Sequence, residues 1–138
     1  LARKLGALLV VVHGETLVEP VLPGTNRAAL KSEIDLLAHP GFLSEEDARL
    51  AAERGIAVEL STRKGHCLGN GLTVVRWYQF HFPLVLNTDT HAAEDLVDDE
   101  FARRVLLSSG VKENDVQEVL KNSQRLVEKT LARTKKYG

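Results

Sequence analysis

Residues 34–60 read IDLLAHPGFLSEEDARLAAERGIAVEL, and this stretch decides the fold class. Ile34 to Leu37 is a short apolar run that breaks at His39-Pro40-Gly41, as a strand does when it enters a turn. Ser44-Glu45-Glu46-Asp47 is a capping box, with Asp47 in the place usually held by glutamate. The helix it opens carries Ala48, Leu50, Ala51 and Ala52 and stops at Gly55, the residue type that favours a helix C-terminus. Ile56 to Leu60 is the next strand. Strand, capped helix and strand in immediate succession make a βα repeat of a parallel sheet.

The same unit extends in both directions. Upstream, Leu1 to Leu5 reads as a helix tail closed by Gly6, and Ala7 to Val12 as a valine-rich strand apolar on both faces. Gly14 to Gly24 is a long loop with prolines at positions 20 and 23. Thr25 or Asn26 then caps a short helix through Leu30. Downstream, Ser61 to Gly69 is a polar loop and Asn70 opens a helix to about Phe80. A fourth strand, Leu84 to Leu86, runs into Asn87-Thr88-Asp89-Thr90-His91. Asp98 to Ser109 reads as helix. Lys112 to Lys121 and Ser123 to Lys135 form one or two more, with Val116, Val119, Leu120, Leu126, Val127 and Leu131 as the buried stripe. The pattern predicts parallel βα units with right-handed crossovers. An open doubly wound sheet and part of a barrel both satisfy it.

The 138 residues give room for one domain with a core, residues 1–138. A formal net charge of −1 offers no general attraction to nucleic acid or an acidic membrane surface. No apolar run is long enough to span a membrane, and no signal peptide is evident. The single cysteine, Cys67, excludes an internal disulfide framework and suits a reducing cytoplasm. There is no GxGxxG or P-loop to suggest a nucleotide site. The absence of methionine leads us to expect a piece of a longer chain.

The histidines carry the functional signal. His13 follows the first strand, His39 the second, and Asp89 with His91 the fourth. In parallel α/β folds, ligands and catalytic groups gather at strand ends. Neighbouring strands lie about 4.8 Å apart, so these side chains can converge on one ion. Imidazole together with carboxylate suits zinc, manganese or iron better than magnesium or calcium. His81, in Gln79-Phe80-His81-Phe82-Pro83, falls at the opposite end of the sheet and reads as structural.

The segments Val11-Val12-His13-Gly14-Glu15, Asp35 through Gly41, Glu59 through His66, and Asn87-Thr88-Asp89-Thr90-His91 resemble, in that order, the polymerase-and-histidinol-phosphatase (PHP) family of metal-dependent phosphoesterases. The likeness is to its small histidinol-phosphatase-like members. It implies the C-terminal portion of a distorted, TIM-like barrel of seven βα units holding up to three divalent transition-metal ions. It also implies that His13 and His39 bind one metal, Asp89 a second and His91 a third, with Asp89 and His91 at the catalytic centre. The family's N-terminal His-x-His, a further histidine and a bridging glutamate have no counterpart here. The implied reaction is hydrolysis of a small phosphomonoester by metal-activated water. The truncated chain is expected to be inactive alone, and to associate with itself or with a missing N-terminal segment.

Around this set, Arg63, Lys64 and His66 are candidates for gripping a substrate phosphate, against the simpler reading of loop charges and a structural histidine. Glu59 and Glu15 are candidates for orienting metal histidines, or else for ion pairs. Asp35 reads as a strand-edge group. The basic end of the chain, with Lys129, Arg133, Lys135 and Lys136, reads as solvated surface. Two other functions compete with the phosphoesterase. One is a non-catalytic barrel subunit or scaffold, for example in an RNA-processing complex. Without a strong basic patch, nucleic acid is not the expected partner. The other is an amidohydrolase-type metal enzyme, whose closing signature is usually a lone aspartate.

Overall fold

The computed structural model describes residues 1–134 of the chain. Four strands form one parallel sheet in the order β1-β2-β3-β4: β1 (Val11–Glu15), β2 (Leu36–Gly41), β3 (Ala57–Ser61) and β4 (Leu84–Asn87). Helices α1 (Thr25–Leu30), α2 (Glu45–Arg54) and α3 (Asn70–Phe80) connect them, and α4 (Asp99–Ser108) and α5 (Val116–Thr134) follow. The α/β class with four parallel strands is as the sequence predicts. Closure into a barrel is not seen among the described residues.

Alternation along the strands separates two apolar layers. Leu37, Val58, Leu60 and Leu84 face one way and pack against Leu30, Ala48, Ala51, Val74, Trp77, Leu106, Val116 and Val119 of the helices. Burying each leucine contributes about 1.5–3 kcal/mol in transfer free energy. Leu36, Ala57 and Val85 face the other way, where Leu126 of α5 covers them.

Local chemistry sets the element ends. Ser44 caps α2 by accepting the Asp47 N–H at 3.1 Å, and Asp98 caps α4 through the Phe101 N–H at 2.8 Å. Helix α1 is capped from outside: the Glu15 carboxylate accepts the Gly24 and Asn26 N–H groups at 2.9 and 2.8 Å, a favourable place for an anion. Asn70 does not cap α3. Its amide exchanges two hydrogen bonds with the Ser61 backbone, at 3.1 and 2.9 Å, and so ties the end of β3 to the helix. The C-terminal stripe belongs to one helix, α5, in which Val116 and Val119 are buried but Val127 and Leu131 are exposed, and the expected positions Lys135 and Lys136 lie outside the described residues.

Both lateral edges of the sheet are informative. On β4, the Pro83 and Asn87 carbonyls accept N–H groups of Val58 and Thr62 across the ladder, so the carbonyls between them alternate outward. Asn122 and Ser123 of α5 donate to two of these, Leu84 O at 2.8 Å and Leu86 O at 3.4 Å. On the far side, β1 pairs among the described residues with β2 only, and Val11 is 47% exposed. Below the strands, the buried Asp35 carboxylate gathers Arg3, Arg133 and the Val10 N–H at 2.5, 2.6 and 2.8 Å. It thus joins an N-terminal turn to the last turns of α5.

Candidate metal site

At the C-terminal ends of β1 and β2 the ladder loses register. His13 lies opposite Ala38, but Glu15 lies opposite Gly41, so β2 carries an extra residue. Such bulges re-aim side chains, and His39 sits in this one with φ of +29°. Glycine makes the close approach feasible. A Cβ on Gly14 would lie 2.5 Å from Ala38 O. Asn26 stitches the break by accepting the Glu15 N–H and donating to Pro40 O, both at 2.9 Å. A short 3-10 turn, His66–Gly69, is pressed onto the end of β2, where a Cβ on Gly69 would lie 2.5 Å from Gly41 O.

This packing brings three imidazoles together. His13 and His39 ring centroids are 4.5 Å apart, His39 and His66 4.9 Å, and His13 and His66 6.2 Å, all edge to face. His39 and His66 are buried, whereas the His13 side chain is 43% exposed. His39 Nδ1 meets Glu59 Oε1 at 2.7 Å, and the other Glu59 oxygen accepts from Asn87 Nδ2 at 2.8 Å. His13 Nδ1 faces Gly14 O at 2.9 Å. Glu19, from the β1–α1 loop, bridges the front of the cluster, with one oxygen 3.0 Å from His13 Nε2 and the other 3.1 Å from His66 Nε2.

Asp89 reaches the rim, 4.0 Å from His66 Nε2, but its carboxylate is engaged by Arg63 Nη1 at 2.9 Å. Its backbone is left-handed, with φ of +49°. Burial works to raise the Asp89 carboxyl, but the Arg63 hydrogen bond and the charges of His39, Arg63 and His91 hold it below its ordinary value. Partial desolvation likewise opposes the charged Glu19, and His13, His66 and Arg63 outweigh it and lower its pKa.

Of the expected ligands, His13 and His39 lie in the cluster and Asp89 on its rim. His91 does not join it: its side chain is 60% exposed and its Nδ1 faces Asp89 O. His66, a candidate phosphate donor in the sequence, instead completes the histidine group. Arg63 is paired with Asp89, and Lys64 is exposed. Glu59 lies against His39, while Glu15 serves as a helix cap. Sequence reasoning missed Glu19, Asn26 and Asn87. Glu19 lies in an aperiodic loop, where no spacing rule places it beside His13 and His66.

No family model matches the chain. It is 46% identical over 120 residues to the uncharacterized protein MJ1295 of Methanocaldococcus jannaschii, covering 86% of this chain and 55% of the relative. It therefore spans about half the length of that relative. Among solved structures it resembles a chain in the cryo-EM structure of archaeal ribonuclease P with mature tRNA. The TM-score is 0.75 at 17% identity, over 94% of this chain and 61% of that one.

These findings correct the resemblance drawn from the sequence. The fold matches a chain of a ribonuclease P assembly, and nothing matched is a PHP phosphoesterase. The hydrolase reading is withdrawn, and with it the catalytic roles of Asp89 and His91 and the small phosphorylated substrate. Short ordered motifs such as Asp89-Thr90-His91 record strand ends as much as chemistry. The view that nucleic acid is not a partner is also corrected, since the matched structure contains RNA. Net charge had argued against it, but a total hides local arrangement. Lys121, Arg125 and Lys129 are all exposed, four residues apart along one side of α5.

Proposed function

We propose that the chain is a non-catalytic subunit or scaffold of an RNA-processing complex, its four strands forming an arc of a larger barrel-like sheet. The likeness in fold to a chain of archaeal ribonuclease P carries the reading. The sequential strand order and the unpaired side of β1 agree with an arc, as does the greater length of both matched proteins. The acidic groups agree with a non-catalytic role. Glu15 caps a helix, Glu59 is held by His39 and Asn87, and Asp89 is held by Arg63. No helix among the described residues is long and apolar enough to cross a membrane. The half-buried free thiol of Cys67 suits a reducing, cytoplasmic setting.

In this reading the basic row of α5 tracks a phosphate backbone. Fluorescence polarisation with mature tRNA, repeated across a salt series, tests it. For three contacts, the slope of log affinity against log salt is expected to be about −2 to −3, at roughly −0.7 for each single-strand and −0.9 for each duplex phosphate contact. Charge reversal at Lys121, Arg125 and Lys129 should remove most of that slope. Absence of salt-dependent RNA binding overturns the reading. So does turnover of an aryl phosphate that is lost in His39→Ala.

A further inference from the structure

We propose that His13, His39 and His66 bind one divalent transition-metal ion of the zinc type, with Glu19 as the fourth donor, as a structural clamp. One ring nitrogen from each histidine lies within 4.8 Å of the others. A tetrahedral zinc with bonds of about 2.0–2.1 Å would draw such nitrogens to about 3.4 Å of one another. The rings therefore need to close by little more than an ångström.

The hydrogen bonds behind two of the three rings argue for a cation more strongly than proximity does, while the buried Nδ1 of His66 has no partner in the protein. Metal-binding histidines nearly always donate their second ring N–H to a carboxylate or a backbone carbonyl. His39 Nδ1 faces Glu59 and His13 Nδ1 faces Gly14 O. For His39 that fixes the tautomer whose Nε2 lone pair points away from the support. His39 Nε2 is then a buried acceptor with no partner in the protein, on a residue only 4% exposed. An unmet buried polar atom of this kind costs about 1–3 kcal/mol. A metal bond would satisfy it.

His13 adds a second tension. Both of its nitrogens face oxygen acceptors, Gly14 O and Glu19 Oε2, and a neutral ring can donate to only one of them. An ion between His13, His66 and Glu19 turns those approaches into ligation. Three imidazoles and one carboxylate suit zinc-like borderline ions rather than magnesium or calcium. The ion would join the end of β1, the end of β2 and the turn after β3. The proposal does not depend on RNA binding.

The purified chain, stripped with chelator, loaded with Zn²⁺ and dialysed, should retain one equivalent. Co²⁺ in its place should give the intense visible bands of a tetrahedral site. His13→Gln, at the half-exposed member, and His66→Gln should each weaken Zn²⁺ at least tenfold. Glu59→Gln should weaken it about 10- to 100-fold, the range for lost support of a ligand. Glu19→Gln should change the Co²⁺ spectrum. Circular dichroism establishes that each variant is folded. If the wild type retains far less than one equivalent, or a folded His13→Gln/His66→Gln variant keeps wild-type affinity, the proposal fails. tRNA binding measured with and without chelator separates this outcome from the RNA reading.

Discussion

Replacing Glu59 should cost more than a single surface hydrogen bond, because its carboxylate serves two donors from inside the fold. It is 5% exposed and meets His39 Nδ1 at 2.7 Å and Asn87 Nδ2 at 2.8 Å. In Glu59→Ala the His39 donor loses its acceptor where water cannot replace it, at about 1–3 kcal/mol. Asn87 is only half-buried and can find water, so it adds little. The lost side-chain carbons add roughly 1 kcal/mol or more, at about 0.8 kcal/mol per buried methylene. The sum is about 3 kcal/mol. Glu59→Gln keeps one oxygen, and should cost about 1–1.5 kcal/mol, near the worth of one hydrogen bond. Urea unfolding followed by the fluorescence of Trp77, the single tryptophan, reads both variants. It should be done in chelator so that metal binding does not contribute. With a denaturant slope of about 1–3 kcal/mol/M, the alanine variant's midpoint should fall by at least about 1 M. An alanine variant within about 0.5 kcal/mol of wild type would refute the reasoning, as would a glutamine variant no better than the alanine one.

Gly69→Ala should destabilise by about 2–3 kcal/mol in the same assay, since its Cβ would meet the rigid Gly41 carbonyl at 2.5 Å. Gly55→Ala, in open space but at φ of +60°, should cost only about 1 kcal/mol. The Asp35 carboxyl is disfavoured by burial, but the Val10 N–H, Arg133 and Arg3 lower its pKa below the ordinary value. Its stabilisation is therefore fully present above the unfolded carboxylate value of about 4 and is lost as pH falls through the folded value. Thermal unfolding from pH 7 downward should show that loss, and Asp35→Asn should begin less stable and flatten the acid limb.

The elements were legible where one short segment carries its own physics. Ser44 and Asp47 announce a helix start that no distant contact alters, and α2 begins where the capping box places it. The apolar run Ala7 to Val12 points to a first strand earlier than the one that forms, Val11–Glu15. The ladder partner of Glu15 is Gly41, a choice made by β2 and invisible in the local run. Half of the candidate site was legible on the same terms. His13 and His39 stand at strand ends, and strand ends can be read. His66 and Glu19 reach the cluster through a 3-10 turn and a loop whose paths depend on Gly69 against Gly41 and on Asn26 against Pro40. Those are contacts between backbones distant in sequence. His91 shows the converse: its motif position was clear, but Asp95 accepts the His91 and Ala92 N–H groups and holds the loop with the ring outward.

The hydrogen bonds from Asn122 and Ser123 to Leu84 O and Leu86 O give the sheet a direction of growth. An indefinite fibre of parallel sheets needs each copy to offer one free side to the next and to receive the previous one on the other. Here one of the two sides is plugged by side chains of the molecule's own longest helix. Among the described residues, any pairing through strand edges is therefore left to β1. An edge offered on one side alone takes a strand from elsewhere without the run-on hazard that a second open side would bring.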